Sequence, residues 1–127
     1  MKVVIDTNFA IYLVKFRLMD ELRTGGAEII LLDSVEKELE KISQRKGKIE
    51  DRESASLALE LLKRTKVVRE KASAANVDRS IVQFAKKEKE LRNQVIVGTM
   101  DKALSERLKK EGIKSVIIRR EKSLQWD

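Results

Sequence analysis

The chain contains no cysteine and no histidine. Without cysteine it forms neither a disulfide framework nor a reactive thiolate. Without histidine it builds no Ser-His-Asp or Cys-His triad, and no His-based acid–base ribonuclease pair. The same two absences exclude zinc sites made from Cys and His. An enzyme working near neutral pH is left with Asp, Glu, Lys, Arg and a single Tyr as its ionic tools. Clustered carboxylates among these select hard, oxygen-binding metals such as Mg or Mn.

Long apolar runs are missing too. No segment approaches the ~20 apolar residues of a membrane-spanning helix. The short apolar stretch at the N-terminus is broken by Asp6, and no cleavage-like site follows it, so it does not read as a signal peptide. The chain is expected in the cytoplasm, without a membrane partner. Its 127 residues suit one domain, and no repeat or interior linker divides them, so 1–127 reads as a single unit. Apolar residues make up 42 % and charged residues 39 %, which describes a globular core under a heavily charged surface. The net charge of +7 favours a polyanionic partner, most simply nucleic acid. A Lys-rich surface also serves solubility alone.

Short apolar runs alternate with helical patterns. Val3 to Ile5 reads as a buried strand, and residues 9 to 23 as one helix closed by Gly25-Gly26. EIILL at 28–32 is a second strand. Asp33 or Ser34 then caps a helix to about Ile42, with Asp33 and Glu36 at capping-box spacing. Residues 43 to 53 read as a charged loop or a frayed helix end, and a strongly apolar helix starts at Ala55. Strands at 66–69, 94–97 and 115–118 follow, with helices capped by Asn76 and opened by Asp101 between them. Continuous rather than alternating apolar strands indicate an α/β fold with a parallel sheet covered on both faces. Sites in such sheets form outside the carboxyl ends of the strands, where Asp6, Thr99 and Asp101 fall.

Cleavage of phosphodiesters by metals needs several carboxylates facing one pocket. Helical phase sorts the inward acids from the outward ones. In the helix from Ser34 the apolar stripe is Val35, Leu39 and Ile42. Glu38 lies roughly 65° from its centre, Glu36 roughly 95° and Glu40 roughly 130° at about 100° per residue. In the helix from Val77, Asp78 borders the stripe of Val77, Ile81, Phe84 and Ala85, while Arg79 points away. Asp101 opens its helix beside Leu104 and Leu108. Each acid also has a structural reading: Glu38 as a boundary residue, Asp78 as a charge favourable to the helix dipole, Asp6 and Asp101 as caps. The two kinds of reading are compatible. Other acid-centred folds fail on particular residues. A haloacid-dehalogenase phosphotransferase needs a second Asp where Asn8 stands, and a response-regulator receiver needs an acidic pair where Asp6-Thr7 stands. Neither a P-loop nor a Gly-rich dinucleotide fingerprint is present.

VIDTN at 4–8, VEKELEKI at 35–42, VDRSIVQFA at 77–85 and GTMDKALSERLKKEGI at 98–113 resemble, in order and over nearly the whole chain, the acidic motifs of the PIN domain family. The resemblance implies a three-layer α/β/α fold with a central parallel sheet of order 3-2-1-4-5, and a metal-dependent endoribonuclease acting through metal-activated water. It implies Asp6, Glu38, Asp78 and Asp101 as catalytic and metal-binding acids for one or two Mg or Mn ions, with Asn8 and Thr99 in support. Within the family, 35–42 and 99–120 are similar to archaeal relatives of the ribosomal-RNA-processing nuclease, with VapC toxins next. The processing type often has paired acids where this chain has Asp78-Arg79. RNA is the implied partner, with Lys15, Arg17, Arg45, Lys46 and Lys48 as candidate backbone contacts and Trp126 either stacking on a base or packing the tail. A homodimer, an antitoxin and a ribosome-assembly partner are the protein partners the family suggests. The rival readings are a VapC-type toxin of a toxin–antitoxin pair and a non-catalytic RNA-binding or assembly module on the same fold.

Overall fold

A computed structural model describes the chain except for Lys46, Ser73, Ala75, Glu121 and Asp127. The elements follow in the order β1 (Lys2–Ile5), α1 (Thr7–Lys15), α2 (Met19–Thr24), β2 (Glu28–Leu32), α3 (Asp33–Gln44), α4 (Ile49–Arg64), β3 (Val68–Glu70), α5 (Val77–Glu90), β4 (Val95–Gly98), α6 (Lys102–Lys110), β5 (Lys114–Ile118) and β6 (Leu124–Trp126). The sheet has the order β3-β2-β1-β4-β5-β6, parallel throughout except for β6, which runs antiparallel to β5. This is the expected 3-2-1-4-5 arrangement with an added edge strand, and helices surround the sheet.

Parallel central strands are buried on both faces, and their sequences show it. Val3, Val4 and Ile5 of β1 are fully buried, as is Leu32 at the end of β2. The connections leaving β1 build the sheet in one direction through β2 and β3, and the chain then returns to the other side of β1 as β4. The ends of β1 and β4 therefore flank a topological switch point, where a crevice opens beyond the strands' carboxyl ends. Ile5 pairs with Gly98 in register, so the residues that follow them, Asp6 and Thr99, emerge side by side.

Four expectations need correction. The helix over 9–23 is two helices, broken at Phe16–Leu18, with Arg17 at φ 56°. A non-Gly residue there costs on the order of 1 kcal/mol, and the turn buries both Leu18 and Leu22. The stretch 43–53 is largely helical, since α3 extends to Gln44 and α4 starts at Ile49. The Asp33–Glu36 capping box does not form. Asp33 Oδ1 instead accepts from the Ala72 amide at 2.7 Å, and Glu36 pairs with Arg69 at 3.4 Å. The strand over 115–118, expected as the last, is followed by a further one, β6, at Leu124–Trp126. Among the described residues no helix is long and apolar enough to cross a membrane.

Candidate active site

Asp6 leaves β1 and serves as N-cap of α1, with Oδ1 accepting from the Phe9 amide at 2.7 Å. Its other oxygen accepts from Thr99 Oγ1 at 2.5 Å, and its own amide donates to the Gly98 carbonyl. Thr99 is fully buried; its hydroxyl oxygen also accepts from the Asp101 amide at 3.0 Å. Asp101 caps α6 through Oδ1, which accepts from Ala103 and Leu104. Both acids are thus caps and, at the same time, fixed in orientation at the sheet's crevice. The second Asp101 oxygen makes no hydrogen bond among the described residues.

A cavity of about 270 Å³ lies at this crevice and is lined by Asp6, Asn8, Glu38, Asp78 and Asp101. The structure therefore brings all four expected acids and Asn8 to one hollow, with Thr99 behind Asp6. Glu38 reaches it from α3, where Val35 and Leu39 are fully buried and Glu40 is exposed. Asp78 reaches it from the first turn of α5, whose cap is Asn76 accepting from the Arg79 amide. Thr7, Asn76 and Val77 complete the lining. The sequence marks Asn76 only as a capping residue and gives Thr7 no part in the site. Their part in the wall follows from where the helices start, which the sequence pattern shows only to within a residue or two.

The acids act on one another. Burial pushes the Asp6 carboxyl up from its ordinary 3.8 to about 6. Hydrogen bonds from Thr99, Phe9 and Met100 oppose that rise, and the charge of Asp78 adds to it. Asp78 is itself raised, first by desolvation and then by Asp101 and Glu38, against a smaller pull from Arg107. Like charges gathered without a cation disfavour ionisation, and a bound cation reverses that effect. Among the described residues, no three acids stand close enough to form a ready-made metal cage.

The cationic residues divide. Lys15, Arg45 and Lys48 line a neighbouring cleft, and Lys15 pairs with Glu50 at 3.3 Å. Arg17 is exposed in the turn after α1 and lines neither hollow, a consequence of the helix break there. Lys46 lies outside the described residues. Trp126 stands on β6, opposite Val116 and away from the acidic cavity.

Comparison with known proteins decides the family. A family model described as a PIN like domain matches residues 3–122. The chain belongs to the PIN-like domain family. It is 33 % identical over 127 residues to "Ribonuclease VapC4" of Methanocaldococcus jannaschii, an alignment covering 95 % of this chain and 92 % of that protein. The structure of the PIN domain endonuclease Utp24 superposes with a TM-score of 0.77 at 26 % identity, covering 99 % of this chain and 90 % of that one. A domain of a functionally unknown protein from Methanocaldococcus jannaschii shares the fold, with a TM-score of 0.60 at 22 % identity and coverage of 93 % and 91 %. Both the endonuclease and the VapC likenesses match the kinships that the PIN motifs of this chain suggested.

Proposed function

We propose that this PIN-like chain is a divalent-metal-dependent endoribonuclease. The observation that carries the reading is the single cavity lined by Asp6, Glu38, Asp78 and Asp101, in which Asp78 feels the charges of its neighbours. The donor set suits Mg or Mn, because it is made only of hard oxygens. An open arrangement also suits Mg, which usually keeps several waters and takes only one or two carboxylates directly. Asp6 would be the central ligand, its carboxylate oriented by the Phe9 amide and the Thr99 hydroxyl. Glu38, Asp78 and Asp101 complete the charge around one or two ions, and Asn8 supports them at the cavity's edge. A divalent cation held there supplies Lewis-acid polarisation of the phosphate and a water of lowered pKa. The carboxylates would orient a water for attack on the phosphorus, with the P–O3′ bond breaking to leave a 5′-phosphate on one product and a 3′-hydroxyl on the other.

RNA as substrate is supported by the ribonuclease and endonuclease named among the relatives and by the net charge of +7. We place the activity in the cytoplasm and read its setting as ribosomal RNA processing, from the resemblance of the 35–42 and 99–120 stretches. The likeness to VapC4 favours a second reading, a toxin held in check by an antitoxin protein. An antitoxin gene beside this one would support that second reading.

The test incubates the wild-type chain with single-stranded and structured RNA in Mn, in Mg and in chelator. Internal cutting that needs metal and leaves 5′-phosphates is the expected result. Cutting that persists in chelator sinks the metal mechanism. RNA that is bound but never cut moves the chain to the binding-module reading.

A further inference from the structure

A second hollow, of about 250 Å³, opens on the other side of Asn8, which lines both it and the acidic cavity. One wall is a single face of α1. Asn8, Ile11, Tyr12 and Lys15 follow the i, i+3, i+4, i+7 spacing that puts residues on one side of a helix. The opposite wall is the end of α3 at Ile42, the link carrying Arg45 and Lys48, and the first turns of α4 with Arg52. Both hollows border α1, the acidic one at its first turn and this one along its length, and Asn8 is common to both.

Its chemistry is that of a nucleotide. Four cations face it against two carboxylates, Glu50 and Asp51, and among the described residues only Lys15 is taken up by an ion pair. Neither Arg45 nor Arg52 has a side-chain hydrogen bond or ion pair among the described residues. Arg52 Nε is buried and has no acceptor among the described residues. A buried donor left unpaired is disfavoured, and a guanidinium fork matches a phosphate's oxygens. The α4 helix starts without a side-chain cap at this wall, so its first amides add to the positive potential. Tyr12 is half-buried and stacked on Phe16 with ring centroids 5.4 Å apart, which holds its ring in place as a platform. Aromatic side chains of this kind take bases by stacking, whatever the sequence. The cleft is narrow and walled on both sides by α1 and by the start of α4, which suits a single residue of a flexible strand.

We propose that this cleft is a nucleotide subsite. It seats one unpaired nucleotide of an RNA strand next to the bond being cut, with the base against Tyr12 and Ile42 and the phosphate on Arg45 and Arg52. Its placement beside the scissile bond rests on the nuclease reading; its affinity for single-stranded RNA does not. The subsite makes the enzyme select unpaired RNA at that position.

The test measures binding of a short fluorescent single-stranded oligoribonucleotide by the full chain in chelator, over a series of salt concentrations. Arg45→Ala and Arg52→Gln are each expected to weaken binding roughly tenfold, and each to flatten the salt dependence by about 0.7 per lost phosphate contact. Tyr12→Leu is expected to weaken binding roughly tenfold with the salt slope unchanged, the mark of lost stacking. Arg52→Lys restores the slope. Thermal melts identify any variant that fails to fold, and Arg45→Ala, at an exposed link, carries the test if Arg52→Gln does. Wild-type affinity and slope in folded Arg45→Ala, or equal losses on duplex RNA, overturn the subsite. Wild-type RNA cutting with unaffected variants defeats the subsite alone. Variant-sensitive binding without any metal-dependent cutting defeats the nuclease reading alone, and wild-type protein that binds no RNA defeats both.

Discussion

Thr99 Oγ1 donates to Asp6 Oδ2 across the ends of two neighbouring strands, and the same oxygen accepts from the Asp101 amide. One buried hydroxyl thus couples two of the four acids. Thr99→Val keeps the shape and removes both bonds, leaving the Asp101 amide without this acceptor and Asp6 without its strongest opposing hydrogen bond. The variant is expected to lose about 1–3 kcal/mol of stability. RNA cleavage is expected to fall roughly 10–100-fold, as when a partner that orients a metal ligand is removed. Denaturant melts and single-turnover cleavage measure the two effects separately.

Metal-free stability is expected to fall as pH rises from about 4 to 6. The folded Asp6 carboxyl keeps its proton up to about 6, whereas the unfolded group releases it near 3.8. Across that window the folded state binds more protons, so unfolding becomes easier with rising pH. At about 1.4 kcal/mol per pKa unit the full effect is on the order of 2–3 kcal/mol. Asp78 is raised as well and contributes with the same sign. Urea melts in chelator at pH 4.5 and pH 7 are expected to show the drop for wild type and a smaller one for Asp6→Asn. A drop as large in Asp6→Asn as in wild type contradicts the burial cost assigned to the Asp6 carboxylate.

Glu36 and Glu38 provide an internal control on α3. Glu38 lines the acidic cavity, whereas Glu36 is engaged with Arg69 at 3.4 Å. Glu38→Gln is expected to weaken Mn binding and cleavage by about tenfold or more. Glu36→Gln breaks a largely exposed ion pair worth at most about 1 kcal/mol and leaves cleavage unchanged. Titration calorimetry with Mn distinguishes them.

Gly98 ends β4 against the ring of Phe9. A Cβ at Gly98 would stand 2.7 Å from Phe9 Cε1 and 2.8 Å from Cδ1. Phe9 is fully buried and has little room to yield. Gly98→Ala is expected to cost about 1–3 kcal/mol by overpacking. Because the strain falls between Asp6 and Thr99, cleavage should drop along with the melting temperature.

Much of this arrangement is legible in the sequence because its causes are local. VVI before Asp6 and VIV before Gly98 mark central parallel strands through continuous apolar character, and helical phase separates Glu38 from exposed Glu40. Other features have distant causes. Asp33 gives up its local capping box for the Ala72 amide, 39 residues away. The break at Arg17 carries no glycine to announce it, and only the burial of Leu18 and Leu22 accounts for it. LQW in β6 is short and largely exposed, with pairing to β5 as its reason for being a strand. The start of α4 at Ile49 is masked by a run of charges that suits a helix surface as well as a loop. The cleft beside Asn8 depends on that misjudged segment, so Arg52 and Tyr12 do not stand out in the sequence.

The central claim is that Asp6 anchors a metal-dependent nuclease site, and Asp6→Asn tests it most directly. Asn retains the side-chain oxygen that caps α1, while its amide nitrogen replaces the oxygen that accepts from Thr99, so that hydroxyl must turn to accept; the cost of burying a charge at position 6 is removed at the same time, and the fold is expected to remain. Wild type and variant are compared on the same RNA, in Mn and in chelator. The account predicts internal cleavage by wild type in Mn alone, and a loss of at least about a hundredfold in a variant that melts no lower than wild type. Undiminished cleavage by Asp6→Asn, or wild-type cleavage that survives the chelator, would contradict it.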